Sequence, residues 1–256
     1  MTKDVAIVTG GGSGIGAAVV RRLTSDGWQV AAVGRRADRL EEIARETGCL
    51  AIAGDVATPG VGTTIVARTL EHFGRIDGLV CNAGIFEYAA VEALDADTWR
   101  RTLDVNLEAV LWLVQAALPA LREARGGVVA ISSLGARRAT AGYAAYVSSK
   151  AALTALVRTI AVEEASSGIR ANVVLPGWTR TEMADAGMRQ LADRFGGIEG
   201  AYDHATRHVP LKRPGRPEEL AAVVAFLLSR ESSYITATSI PVDGGLHAID
   251  ASQDFG

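Results

Sequence analysis

The run Val5-Ala6-Ile7-Val8-Thr9-Gly10-Gly11-Gly12-Ser13-Gly14-Ile15-Gly16 decides how the rest of this 256-residue chain is read. Its unbroken apolar opening predicts a strand, Val5 to Thr9, buried on both faces. The glycines predict a tight loop. Behind it Ile15, Val19, Val20 and Leu23 recur at helical spacing, so a helix is expected from Gly14 to about Asp26. A glycine loop at a helix N-terminus leaves backbone N–H groups unobstructed where the helix dipole favours an anion, and phosphate is the anion expected. A P-loop needs Gly-Lys-Ser/Thr at its end; Ile15-Gly16-Ala17 supplies neither lysine nor hydroxyl.

The same alternation of strand and helix continues outward from this unit. Further strands are expected at Gln29 to Val33, Cys49 to Ala53, Asp77 to Cys81, Val128 to Ile131, Arg170 to Leu175 and Ser239 to Val242. Helices are expected near Asp38 to Glu46, Gly62 to Phe73, Asp97 to Leu121, Tyr143 to Ser166 and Pro217 to Leu228. Alternating elements with continuous apolar strands predict an α/β fold: a seven-stranded parallel sheet with helices on both faces. No polar linker divides it, so residues 1–256 are expected to form one domain. The stretch from about Glu182 to Arg213 breaks the alternation and is expected to be a small mobile lobe over the ligand site.

Bulk composition narrows the function classes. Hydrophobic residues make up 48% of the chain and the net charge is −3. Arginine pairs at 21–22, 35–36, 100–101 and 137–138 are scattered, so nucleic acid is not an expected partner. Cys49 and Cys81 have no Cys-x-x-Cys partner, which predicts a reduced, cytoplasmic protein. The N-terminus opens directly into a strand with no signal peptide, and no uncharged apolar stretch is long enough to cross a bilayer. His72, His204, His208 and His247 share no metal-ligand spacing, so no metal is expected.

The end of the second strand addresses which dinucleotide the glycine loop would hold. An acid there usually binds the ribose hydroxyls of NAD, whereas an arginine accommodates the 2′-phosphate of NADP. The chain reads Val33-Gly34-Arg35-Arg36. Guanidinium binds phosphate through paired hydrogen bonds, so NADP(H) is favoured, with Arg35 the leading contact and Arg36 beside it. Asp38 keeps NAD(H) possible, because a longer turn would bring its carboxylate to the ribose.

Tyr146 and Lys150 lie four residues apart, one helical turn, with Ser133 thirteen residues upstream of the tyrosine. An ammonium beside a phenol favours tyrosinate and makes the phenol usable as acid and base near neutral pH. Ser133 ends a strand, where open parallel sheets place ligand groups, and its hydroxyl suits a developing negative charge. Tyr143 has Val147 four residues on, so it is read as a pocket wall.

Together these residues resemble the short-chain dehydrogenase/reductase family in its single-domain branch, over nearly the whole chain. Asn82-Ala83-Gly84 matches the family's Asn-Ala-Gly after the fourth strand, and Asp55-Val56 matches its acid–apolar pair beside adenine. Asn106 stands where the family has its fourth catalytic residue, and Pro176-Gly177-Trp178-Thr179-Arg180-Thr181 matches the segment that holds the carboxamide. The resemblance implies a Rossmann-like fold and Ser133, Tyr146, Lys150 and Asn106 as the catalytic set, Asn106 acting through a water linked to Lys150. It implies a cofactor site of Gly10, Gly12, Ser13, Gly14, Ile15, Gly16, Arg35, Arg36, Asp55, Val56, Asn82, Ala83, Gly84, Tyr146, Lys150, Pro176, Gly177, Thr179 and Thr181. It also implies homotetramers packed through two long helices. Ser13 stands where many NADP-preferring members carry a basic residue, leaving the phosphate to Arg35 and Arg36.

The expected pocket walls are Phe86, Leu134, Tyr143, Trp178, Met183 and Met188, which suit an apolar or aromatic ketone or the matching secondary alcohol. The expected activity is hydride transfer between a nicotinamide cofactor and that substrate. The alternatives are a non-catalytic dinucleotide sensor on the same scaffold and an NAD-preferring alcohol dehydrogenase. Epimerisation or dehydration is disfavoured, since relatives doing that chemistry usually carry a C-terminal substrate domain.

Overall fold

All five residues of β1, Val5–Thr9, are buried, as an unbroken apolar run requires of a strand covered on both faces. It sits inside a seven-stranded parallel sheet with β2 (Gln29–Gly34), β3 (Leu50–Ala53), β4 (Gly78–Cys81), β5 (Gly127–Ile131), β6 (Arg170–Pro176) and β7 (Ser239–Val242). The strand order is β3-β2-β1-β4-β5-β6-β7. The computed structural model describes residues 3–249, so the tail beyond Ile249 lies outside the described residues. The chain winds outward from β1 to β3, then returns to β4 on the other side of β1. That reversal opens a crevice at the carboxyl ends of β1 and β4, where ligands bind in open α/β sheets.

Strand alternation sends successive side chains to opposite layers. Ile7, Leu79, Val128 and Val173 join one core with residues of α3 (Val61–Phe73), α5 (Ala109–Ala124) and α6 (Ala144–Glu163). Val8, Val80, Val129 and Val174 join the other, against α1 (Gly14–Ser25), α2 (Ala37–Thr47) and α9 (Pro217–Leu228). Helix ends follow local chemistry. Gly48 closes α2 in the left-handed region at φ 72°, and Pro217 opens α9 with Glu219 accepting from the Arg216 N–H at 2.7 Å.

Two expectations need correction. The single helix expected from Asp97 to Leu121 is three segments: α4 (Ala96–Leu103), a π-helical turn over Asp104–Glu108, and α5 with Pro119 inside it. A single wide turn carries no separate periodicity, so the hydrophobic pattern passes over it. The run Ala96–Ala124 is also apolar and long enough to match a bilayer-spanning helix by composition. Here Leu113, Val114, Ala117 and Leu121 are buried in the sheet's core.

The second correction concerns the lobe. The segment from Glu182 to Arg213, for which no helix is expected from the sequence, holds α7 (Glu182–Phe195) and α8 (Ile198–Thr206). They pack on each other through Met188, Ala201 and Tyr202, with Trp178, Phe195 and Ile198 at the margin. Gly196 and Gly197, at φ 72° and 116°, make the turn between them; these glycines punctuate two short helices. The neck of the lobe is closed by backbone. Gly215 N–H donates to the Trp178 carbonyl at 2.8 Å and Arg180 N–H to the Gly215 carbonyl at 2.9 Å.

Candidate active site

The glycine loop leaves β1 and is fastened to β4 before α1 begins. Asn82 donates through Nδ2 to the carbonyls of Thr9 at 2.9 Å and Gly10 at 3.3 Å. The N–H groups of Asn82 and Ala83 donate to Thr9 Oγ1 at 3.0 and 3.1 Å. Asn82 is thus committed to holding the loop. A Cβ on Gly16 would overlap the Gly10 carbonyl oxygen, so only glycine permits this packing. Ser13 makes no side-chain cap to α1, and the first-turn N–H groups have no intrahelical partners. This backbone cradle, kept narrow by glycine and uncapped, fits the pyrophosphate of a dinucleotide.

The other motif segments converge on the same crevice. Thr181 caps α7, accepting from Ala184 N–H at 3.2 Å, and its methyl would lie 3.3 Å from a Cβ on Gly14. The entrance to the lobe therefore lies against the glycine loop. Thr179 is buried and donates to the Gly177 carbonyl at 3.3 Å. Pro176 is the last residue of β6. Arg35 Nη1 is 3.9 Å from Asp55 Oδ2, and Asp55 Oδ1 accepts from the Ala57 N–H at 3.1 Å. Val56 is partly buried against the core. Arg36 donates from Nη2 to Ser13 Oγ at 2.7 Å and from Nη1 to Glu182 Oε2 at 2.8 Å.

Beside the crevice, Ser133 follows β5 and accepts from the Gly135 N–H at 3.0 Å. Tyr146 and Lys150 project from the first half of α6. The Ser133 side chain stands close enough to the Tyr146 phenol to favour its ionised form, so the end of β5 and the start of α6 meet at one point. Lys150 is 4% exposed; its Nζ donates to the Ile131 carbonyl at 2.9 Å and lies 5.8 Å from the centroid of the Tyr146 ring. Burial pushes the ammonium down to about 8, opposed by the neighbouring Cys81 thiol, which burial itself pushes up to about 12. Burial also pushes the Tyr146 phenol up, with the Ser133 hydrogen bond opposing. In the absence of the dinucleotide, burial thus outweighs the lowering expected from the neighbouring ammonium. The ammonium is spent on Ile131 and is itself desolvated, so spacing brings the pair together without by itself acidifying the phenol.

Residues 10–247 match the family model described as enoyl-(acyl carrier protein) reductase. Levodione reductase from Leifsonia aquatica is 35% identical over 256 residues, covering 96% of this chain and 95% of that protein. Meso-2,3-butanediol dehydrogenase from Serratia marcescens is 31% identical, covering 97% and 96%. The crystal structure of an actinorhodin polyketide ketoreductase variant with NADPH superposes with a TM-score of 0.91 at 32% identity, covering 96% of this chain and 98% of that one. The chain belongs to the short-chain dehydrogenase/reductase family. It is an oxidoreductase.

In this short-chain dehydrogenase/reductase Asn106 lies in the π-helical turn, fully buried. Its Oδ1 accepts from the Ile85 N–H at 2.8 Å, while Nδ2 donates to the Ile85 carbonyl and Ser149 Oγ, both at 3.0 Å. Ser149 in turn donates to the Tyr146 carbonyl at 2.7 Å. A Cβ on Gly84 would sit 3.2 Å from Asn106 Oδ1 and 3.3 Å from Lys150 Nζ, so this glycine lies between the two.

The expected pocket walls separate into two groups. Phe86 and Tyr143 stack obliquely at 4.5 Å, and Phe86 meets Tyr146 edge-on at 5.4 Å. Leu134 is buried next to Ser133. Trp178 and Met188 instead belong to the lobe's own core, where Met188 is 2% exposed, and Met183 is exposed on α7. Met188 therefore supports the lobe from within. Sequence reading missed Tyr88, whose ring meets Tyr143 edge-on at 6.3 Å and lies against Gly142. Ser132, next to Ser133, has a structural role: its Oγ donates to the Lys150 carbonyl at 2.9 Å and so braces α6. Glu182 on Arg36 was missed as well. An acid just past Thr181 carries no recognisable pattern, and only the folded lobe brings it to α2.

Proposed function

We propose that this enzyme transfers a hydride between NADP(H) and a ketone or secondary alcohol, with Tyr146 as general acid and base. The observation that supports the reading is the Ser133 side chain beside the Tyr146 phenol, with the buried Lys150 ammonium 5.8 Å from the tyrosine ring centre. When bound, nicotinamide supplies or accepts the hydride and, oxidised, adds a positive charge near the phenol. Ser133 holds the substrate oxygen and supports its developing charge. Tyr146 gives that oxygen a proton in reduction and takes it back in oxidation. Lys150 favours the tyrosinate and is held by Ile131 in position to bind the nicotinamide ribose. Asn106 orders the backbone of Ile85 and the hydroxyl of Ser149 around a water path that returns protons to Lys150.

Arg35 and Arg36 at the end of β2 support NADP(H) over NAD(H), since either guanidinium suits a 2′-phosphate. An NAD-preferring alcohol dehydrogenase is the second reading, favoured by the carboxylates already on those arginines, Asp55 and Glu182. The aromatic wall of Phe86, Tyr88 and Tyr143 supports a cyclic or aromatic ketone, or the matching alcohol. Relatives named levodione reductase and meso-2,3-butanediol dehydrogenase fit the same class of carbonyl and alcohol.

Trp112 on α5, 54% exposed, and the exposed Val162 on α6 support a homotetramer packed through these helices, which light scattering tests. The free, buried Cys49 and Cys81 support a reducing, cytoplasmic setting. The activity test is oxidation of NADPH and of NADH with a panel of cyclic, aromatic and linear ketones. Turnover with none of them overturns the reaction, and a preference for NADH of about tenfold or more, roughly 1.4 kcal/mol, overturns the cofactor choice.

A further inference from the structure

Glu182, the first residue of α7, reaches across to the start of α2. Its Oε2 accepts from Arg36 Nη1 at 2.8 Å and its Oε1 lies 3.6 Å from Arg39 Nη2. The other Arg36 amino group donates to Ser13 Oγ at 2.7 Å. Ser13, Arg39 and Glu182, together with Gly12 and Glu42, border a cavity of about 200 Å³. A carboxylate of the lobe thus occupies the guanidinium of Arg36, which is read above as a contact for a 2′-phosphate. Carboxylate and phosphate are both oxyanions that guanidinium grips through the same donors. They compete for those donors, and a phosphate beside Glu182 meets a like charge.

We propose that Glu182 sets this enzyme's discrimination between phosphorylated and unphosphorylated dinucleotides, by competing with the 2′-phosphate for Arg36. The inference rests on the reading of Arg36 as a phosphate contact. NAD(H) binds with the Arg36–Glu182 pair intact. NADP(H) displaces the carboxylate, and the first turn of the lobe then gives up an anchor to α2. Glu182 is a positioning residue: it acts through Arg36 and leaves the reacting atoms alone.

The test is calorimetric titration of NADP⁺ and NAD⁺ into the wild type and Glu182→Gln. Glutamine keeps the size of the side chain and one acceptor oxygen and removes its charge. The expected result is about threefold to tenfold tighter NADP⁺ binding, on the scale of an exposed ion pair plus a like-charge contact, with NAD⁺ changed by less than about twofold. An unchanged ratio overturns the proposal; so does an equal change for both dinucleotides, which is what disturbed lobe packing produces. Glu42→Gln is the control for net charge, because Glu42 pairs with Arg39 at 3.2 Å on the same cavity wall. It is expected to move the ratio by less than half as much, and an equal effect overturns the assignment to Glu182. If the wild type binds neither dinucleotide, the hydride-transfer reading fails too. If it binds both and Glu182→Gln leaves the ratio alone, only this proposal fails.

Discussion

Lys150 directs its ammonium at the main-chain carbonyl of Ile131, 2.9 Å away, and keeps 5.8 Å from the ring centre of Tyr146. A charge held in this way is costly in a nearly water-free site, and burial pushes it down from its ordinary value of 10.5 to about 8. Because the folded-state value lies below the unfolded one, burial of the charged lysine destabilises the ligand-free protein fully below about pH 8, and the penalty fades as pH rises toward 10.5. The stability advantage of Lys150→Met over the wild type should therefore shrink between pH 8 and 10.5. Urea unfolding of both proteins across that range checks it, and a constant difference contradicts the placement.

Tyr146→Phe removes the proton donor while leaving the ring that Phe86 meets edge-on. Turnover is expected to fall by about 10²- to 10⁴-fold, with dinucleotide affinity close to wild type. Ser133→Ala should lower kcat by about 10²-fold or more, because one hydroxyl facing the substrate oxygen is lost. Stopped-flow kinetics beside calorimetric binding separates the two effects. A Tyr146→Phe enzyme that turns over normally would falsify the assignment of the acid.

Gly16→Ala places a methyl group on the Gly10 carbonyl, inside the loop that Asn82 fastens. The backbone has to shift, so a loss of about 1–3 kcal/mol of stability is expected, together with loss of dinucleotide binding. Thermal melts with and without NADP⁺ read both: the melting temperature falls and the cofactor no longer raises it.

Gly142 lies under the Tyr88 ring at φ 79°, and any Cβ there would fall within that ring. Gly142→Ala should dislodge Tyr88 and weaken the aromatic wall beside Tyr143. The expected signature is KM for an aromatic ketone raised about fivefold or more, with kcat changed by less than about twofold, because binding is lost equally from ground and transition states. A change confined to kcat contradicts the wall.

Most of the scaffold was readable because its signals are local and redundant. Val5–Thr9 has one plausible conformation, and the Pro217 and Gly48 boundaries each have a steric cause. The Tyr146–Lys150 spacing survives folding because one α-helical turn is a fixed geometry. What escaped depends on contacts between distant segments. The π-helical turn that buries Asn106 is invisible to a helical period, and α7 buries little beyond Met188, too little for a strong pattern. The acidity of Tyr146 depends on burial and partners, which spacing does not encode. Met188 illustrates the converse: position suggested the pocket, whereas packing with Tyr202 placed it inside the lobe.

The backbone clasp between Trp178, Arg180 and Gly215 brings both ends of an excursion of more than thirty residues side by side at the rim of β6. Everything distal to it is free to lengthen, shorten or be exchanged without disturbing strand register, as with a cassette joined at adjacent ends. A scaffold of this kind acquires new substrates by grafting, while its proton-transfer machinery, carried on β5 and α6, stays untouched.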